Sequence, residues 1–162
     1  MNPTAIVITL SDKVDSGERE DRSGPILVDA LQEMGIQVTD HLVLPDNQET
    51  LSRALTENAD SGNIDLIITT GGTGLAPRDV TPEATQAILD RELPGVVEML
   101  RAEGYKKTPF AVLSRGLAGS RKQCVIINLP GSPKAVTEGM EALKPILLHA
   151  IQMTRGEDLD HG

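Results

Sequence analysis

The chain is poor in aromatic residues and nearly without sulfur chemistry. Its 162 residues include no Trp, one Tyr (Tyr105), one Phe (Phe110) and one Cys (Cys124). A core with so few rings has to be aliphatic, packed from Ile, Leu, Val, Ala and Met. A single cysteine excludes an internal disulfide. Cys124 lies inside the apolar run 124–129 with no histidine near it in sequence. It reads as a small buried hydrophobe rather than a thiolate nucleophile. The histidines His41, His149 and His161 are scattered without metal-ligand spacing, so zinc is not expected, nor haem or flavin. No apolar run approaches the ~20 residues of a membrane span, and no membrane partner is expected. Residues 1–4 lead into a short apolar run without a basic n-region or cleavage site, which makes a cytoplasmic location the expectation. The net charge of −9 argues against nucleic acid as a partner.

What is present suits a soluble globular chain, with 39% apolar and 24% charged residues. We expect one domain over residues 1–155 and a short, frayed acidic tail over 156–162. Residues 5–10 form an unbroken apolar run, the pattern of a strand buried on both faces. The polar stretch 14–23 reads as a loop. Ser23 is expected to cap a helix carrying Ile26, Leu27, Ala30, Leu31 and Met34, ended by Gly35. A second strand spans 36–44, and Asp46 or Asn47 caps the next helix. A third strand spans 64–68. Thr81 then caps a helix with Pro82 in its first turn, and Leu93-Pro94-Gly95 breaks it and begins another. The apolar segments 110–113 and 124–129 either pair as a hairpin or flank a loop over a site. The last helix carries Val136, Met140, Leu143 and Leu147, with a kink at Pro145. Strands alternating with helices predict a three-layer α/β/α sandwich around a largely parallel sheet.

The most informative stretch is Thr69-Thr70-Gly71-Gly72-Thr73-Gly74, followed by Asp79, Thr81 and Glu83. A strand that ends in glycines leaves backbone N–H groups open to a close-approaching anion. A carboxylate a few residues later can hold a metal on that anion. Valine at Gly72 is expected to block that approach. The segment is not a Walker A loop, because no Gly-Lys-Ser/Thr follows, and position 77 of a dinucleotide fingerprint is Pro77. In an open α/β sheet the loops after the strands line the binding crevice. Four such loops carry useful groups: Ser11-Asp12, Asp46-Asn47, the glycine segment, and Gly131-Ser132 with Lys134. Each also has a plain structural reading as a turn or cap. The basic residues between Arg101 and Lys122 are either a solvated face or, through Arg115, Arg121 or Lys122, a contact to an anionic ligand.

Thr70-Gly71-Gly72-Thr73-Gly74, then Arg78-Asp79-Val80-Thr81-Pro82-Glu83, then Leu129-Pro130-Gly131-Ser132-Pro133-Lys134 resemble the MogA/MoaB family of molybdopterin adenylyltransferases. Relatives include the G domains of the plant cofactor-synthesis protein and of gephyrin. The resemblance runs from Ala5 to about Met153. It implies a MogA-like fold, a homotrimer, and Mg²⁺–ATP-dependent adenylylation of the molybdopterin terminal phosphate with release of pyrophosphate. It also implies hand-over of the product to a molybdenum-insertion protein. Asp46 and Asp79 match the catalytic aspartates and the expected Mg²⁺ ligands. Ser11, Asp12, Gly71, Gly72, Thr73, Gly74, Thr81, Glu83, Ser114, Arg115, Pro130, Gly131, Ser132 and Lys134 match the segments that hold substrate and nucleotide. The alternatives are a pterin-binding or scaffold protein of the same fold that catalyses poorly, and a hydrolase of nucleotide conjugates. The intact Asp46 and 78–83 run favour the transferase.

Overall fold

The computed structural model describes residues 2–159. Its strands are β1 (Thr4–Leu10), β2 (Gln37–Leu44), β3 (Leu66–Thr70), β4 (Arg91–Glu92), β5 (Ala118–Arg121) and β6 (Cys124–Leu129). Its helices are α1 (Asp12–Asp15), α2 (Ser23–Glu33), α3 (Gln48–Asp60), α4 (Thr81–Gln86), α5 (Pro94–Tyr105), α6 (Pro133–Leu143) and α7 (Leu147–Thr154). The strands form one sheet in the order β2–β1–β3–β6–β5–β4. The first four in that order run parallel, and β5 and β4 are added antiparallel.

The apolar runs of β1, β3 and β6 are continuous because both faces of the sheet are covered. Alternate residues serve opposite cores. Val7, Ile68 and Ile127 pack with Leu27, Leu31, Val136, Met140 and Leu147 from α2, α6 and α7. Ile6, Ile8, Ile67 and Ile126 pack with Leu51, Leu55 and Ala84 from α3 and α4. This is the three-layer sandwich expected from the order of elements.

Several elements differ from the sequence expectation, each for a local reason. The stretch 14–23 opens with the short helix α1, capped by Ser11, whose Oγ accepts from the Val14 N–H. Ser23 does not cap α2. Its hydroxyl donates to the Gly131 carbonyl at 2.6 Å, and Asp21 accepts from the Gly24 N–H instead. Of the two caps expected for α3, Asn47 is the one used, as expected. Strand β3 runs on through Thr69 and Thr70, whose hydroxyls bond the buried Asn128 amide and the Pro130 carbonyl. The segment 110–113 is not a strand. It lies in a 3₁₀ turn at Pro109–Leu113 that leaves Phe110 74% exposed. The hairpin forms one segment later. The Gly/Ser-rich stretch that reads as a turn is β5, joined to β6 through Lys122, whose φ is +50°. The expected kink at Pro145 is a full break between α6 and α7. The expected frayed tail falls partly outside the described residues.

Cys124 is fully buried on the α3/α4 side of the sheet. Burial pushes its thiol pKa up to about 12, with a further push from Asp65, so it remains a thiol at any ordinary pH. Cys124→Ala is expected to cost about 1 kcal/mol, measured by denaturant unfolding. The native protein should leave a thiol reagent unreacted until it unfolds; rapid labelling of the folded protein would contradict this placement.

Candidate functional site

The chain leaves β1 toward β2 at one edge of the sheet and leaves β3 toward β4 at the opposite edge. The carboxyl ends of β1 and β3 are therefore the switch point, where an open α/β sheet splays its loops and forms a crevice. A cleft of about 720 Å³ sits there. Its lining draws on all four expected loops: Ser11 after β1, Asp46 after β2, Gly71, Gly72 and Asp79 after β3, and Gly131 and Ser132 after β6. A second cleft of about 770 Å³ lies on the far side of the glycine loop, between α5, the 3₁₀ turn and α6. Gly72, Asp79 and Gly131 border both clefts.

The glycine loop is turned so that its carbonyls face the protein. The Gly71 carbonyl accepts from Thr81 Oγ1 at 2.9 Å, and the Gly72 carbonyl from the Thr81 N–H at 3.1 Å. The Thr73 carbonyl accepts from the Arg115 N–H at 2.9 Å, and the Gly74 carbonyl from Arg115 Nε at 2.8 Å. The N–H groups of Gly72, Thr73 and Gly74 have no acceptor among the described residues. The loop is a row of unpaired donors on a braced frame, which is what an anion requires of a backbone. Positive φ at Gly71 (+98°) and Gly72 (+69°) permits that turn.

The carboxylates are held in distinct ways. Asp46 and Asp12 exchange bonds reciprocally: the Asp12 N–H donates to Asp46 Oδ2 and the Asp46 N–H donates to Asp12 Oδ1, both at 3.0 Å. Arg78 clamps Asp12 with two bonds of 2.8 Å, so the glycine segment is tied back to the loop after β1. The Arg78 guanidinium holds the Asp12 carboxyl below its ordinary range. Burial pushes Asp46 the other way, upward, with repulsion from Asp12 and Asp79 adding to it. Asp79 closes a tight turn, accepting from the Ala76 N–H at 2.9 Å.

The other expected residues take supporting places. Ser132 caps α6, accepting from the Ala135 N–H, and its neighbour Pro130 accepts from Thr70. Thr73, Gly74 and Ser114 line the second cleft, with Ser114 Oγ 3.4 Å from Thr73 Oγ1. Thr81 and Glu83 lie behind the loop. Arg115 is committed there too: it bonds Gly74, the Asp79 carbonyl at 2.9 Å and Glu83 at 2.7 Å. It shapes the donor loop rather than facing an anion. Arg121 and Lys122 pair with Asp60, away from both clefts, so that part of the basic cluster is structural. Lys134 is exposed in the first turn of α6, outside both linings. Sequence reasoning missed the segment Arg19–Ser23, which forms one wall of the first cleft, and Asn128, whose amide joins Thr69 and Thr85 beneath the loop. A buried Asn within an apolar strand was the available signal for the latter.

Fold and cleft together define an open-sheet α/β protein with a donor-lined crevice at its strand ends. Residues 6–149 match the family described as "Probable molybdopterin binding domain", and the chain belongs to that family. The chain is 37% identical over 152 residues to the molybdopterin adenylyltransferase of Helicobacter pylori, covering 93% of this chain and 86% of that protein. It also superposes on the molybdopterin biosynthesis enzyme MoaB of Thermus thermophilus with a TM-score of 0.89 and 45% identity, over 95% and 97% of the two chains. The molybdopterin biosynthesis Mog protein of Mycobacterium ulcerans gives a TM-score of 0.90 at 37% identity, over 97% and 99%.

Proposed function

We propose that this chain is a molybdopterin adenylyltransferase, which joins the adenylyl group of ATP to the terminal phosphate of molybdopterin and releases pyrophosphate. One observation carries the reading: the loop after β3 bears the unpaired N–H groups of Gly72, Thr73 and Gly74, with Gly72 beside Asp46 and Gly74 beside Asp79. An oxygen of the molybdopterin phosphate attacks the α-phosphorus. The new P–O bond forms as the bond from that phosphorus to the bridging oxygen breaks, and the electron pair leaves with pyrophosphate. Two phosphate groups crowd together in this step, and fixed N–H dipoles are well suited to holding them there.

Mg²⁺ fits the donor set. Among the described residues no three His, Cys, Asp or Glu side chains gather into a cage. Mg²⁺ needs none, since it commonly takes one or two carboxylates and fills its other places with phosphate oxygens and water. Asp46 and Asp79 would hold it, since Asp12 is clamped by Arg78. When bound it would supply positive charge against the phosphates. A homotrimer, cytoplasmic work and hand-over of the product to an insertion protein belong to the same reading. The exposed Leu75, Phe110 and Leu113 are apolar side chains that a neighbouring copy could cover. Among the described residues no helix is long and apolar enough to cross a membrane.

The test is direct. Purified protein with molybdopterin, ATP and Mg²⁺ is expected to release pyrophosphate and form adenylylated molybdopterin in equal amounts. Tight binding of both substrates with no pyrophosphate above the protein-free control would turn the reading into that of a binding protein.

A further inference from the structure

The segment Arg19–Ser23 is fastened almost everywhere except at its two arginines. The Gly17 N–H donates to the Val14 carbonyl and the Arg19 N–H to the Lys13 carbonyl, both at 3.1 Å. Asp21 accepts from Thr9 Oγ1 at 2.8 Å and from the Gly24 N–H at 3.0 Å, and it lies 3.1 Å from His41 Nε2. Ser23 Oγ donates to the Gly131 carbonyl at 2.6 Å, joining the segment to the turn after β6. By contrast, the side chains of Arg19 and Arg22 are exposed and have no hydrogen bond or ion pair among the described residues. They are the only cationic side chains among the described residues that line the first cleft, where the acids are Glu20, Asp21, Asp46 and Asp79. The other nearby arginines are spent: Arg78 on Asp12 and Arg115 on the glycine loop.

Two free guanidiniums on an anchored strap, in the cleft of a chain with net charge −9, call for an anion rich in oxygens. Guanidinium forks match phosphate geometry with paired N–H bonds. We propose that Arg19 and Arg22 form a site for a pyrophosphate-class anion. On the adenylyl-transfer reading, this anion is the β- and γ-phosphates of the nucleotide and then the departing pyrophosphate. The strap's anchors set where those charges stand. Across the same cleft stands Gly72, whose N–H is unpaired among the described residues.

The experiment measures binding of inorganic pyrophosphate, ATP and AMP by calorimetry, each with Mg²⁺. The proteins are the parent, Arg19→Ala, Arg22→Ala, the double variant, Arg22→Lys, and Arg53→Ala as an exposed control of equal charge change. Loss of a charge-assisted bond should weaken pyrophosphate and ATP about 10–100-fold in the double variant. AMP affinity should stay within about twofold, and Arg22→Lys should recover part of the loss, since it keeps the charge but not the fork. Melting temperatures should match the parent. Unchanged pyrophosphate affinity in a folded double variant overturns the site. So does an equal loss for AMP, or a loss of the same size in Arg53→Ala. Pyrophosphate release with molybdopterin, followed in the parent, judges the transfer reading separately: an active parent whose double variant still binds pyrophosphate normally keeps the reading and removes the site.

Discussion

Asp46→Asn and Asp79→Asn are each expected to lower turnover about 10²–10³-fold, the usual loss when one preorganised electrostatic group is removed from a reacting centre. The substitution keeps shape and deletes charge, so it separates two roles. A carboxylate that merely closes a turn would be replaced well by Asn, because the amide oxygen still accepts. The amide oxygen at position 46 can still take the Asp12 N–H, and that at position 79 the Ala76 N–H, as the carboxylates do. The stability arm follows from the direction of the Asp46 shift. Burial, with repulsion from Asp12 and Asp79, raises this carboxyl above its ordinary 3.8. A raised folded value means the fold favours the neutral acid. That contribution is present below the unfolded value and is lost as pH rises through the folded one. At neutral pH the ionised Asp46 therefore strains the fold, and Asp46→Asn should melt higher than the parent. The advantage should fade as pH falls through the raised folded value toward 3.8, and be gone below it. Pyrophosphate release and melting temperature across pH, without metal for the melts, check both arms. Turnover close to the parent's in both single variants would sink the assigned chemistry.

Much of this site was legible because its chemistry is local in sequence. The glycine segment, Asp79 and the four post-strand loops could be placed from strand runs and turn residues alone, since parallel strands put their following loops at one edge. What escaped depends on who bonds whom across the fold. Arg115 looks like a free cation until the Gly74 and Asp79 carbonyls are seen around it. Arg19 and Arg22 sit in a charged run that has the composition of any solvated loop. Only the anchoring of Asp21 and Ser23 gives them a fixed place. The fold errors have the same origin. Residues 110–113 are apolar, but Phe110, Val112 and Leu113 are exposed, so an apolar run alone did not make a strand of a hairpin there. Strand β5 is rich in small residues because a Cβ at Gly119 would strike the Arg91 carbonyl across the β4–β5 pair.

Gly71→Ala is expected to damage the fold itself, whereas Gly72→Ala should damage the site first and the fold less. At Gly71 a Cβ would run into the Leu10 carbonyl oxygen, part of the neighbouring strand's backbone, which cannot swing aside. The residue also holds φ of +98°, outside the comfortable range of any side chain. A loss of about 3 kcal/mol or more follows from strain and clash together. At Gly72 the obstacle is a side chain, Thr81 Oγ1, with Asp46 Oδ1 next at 3.3 Å. That hydroxyl holds the Gly71 carbonyl at 2.9 Å, so displacing it loosens the frame that presents the free N–H groups. A cost of about 1–2 kcal/mol and a sharp loss of nucleotide affinity are expected. Valine at this position adds β-branching to a positive φ of +69°, so Gly72→Val should be less stable again, not a silent block of the site. A double-mutant cycle isolates the cause. Thr81→Ala removes the hydroxyl in the way, so Gly72→Ala should cost about 1 kcal/mol less in that background than alone. Denaturant unfolding of the four proteins measures the coupling, and ATP titration of the folded variants measures the loop. Strict additivity would mean that Thr81 does not limit the loop. Full nucleotide affinity in Gly72→Ala would mean that the donors at Gly72–Gly74 do not hold the phosphates.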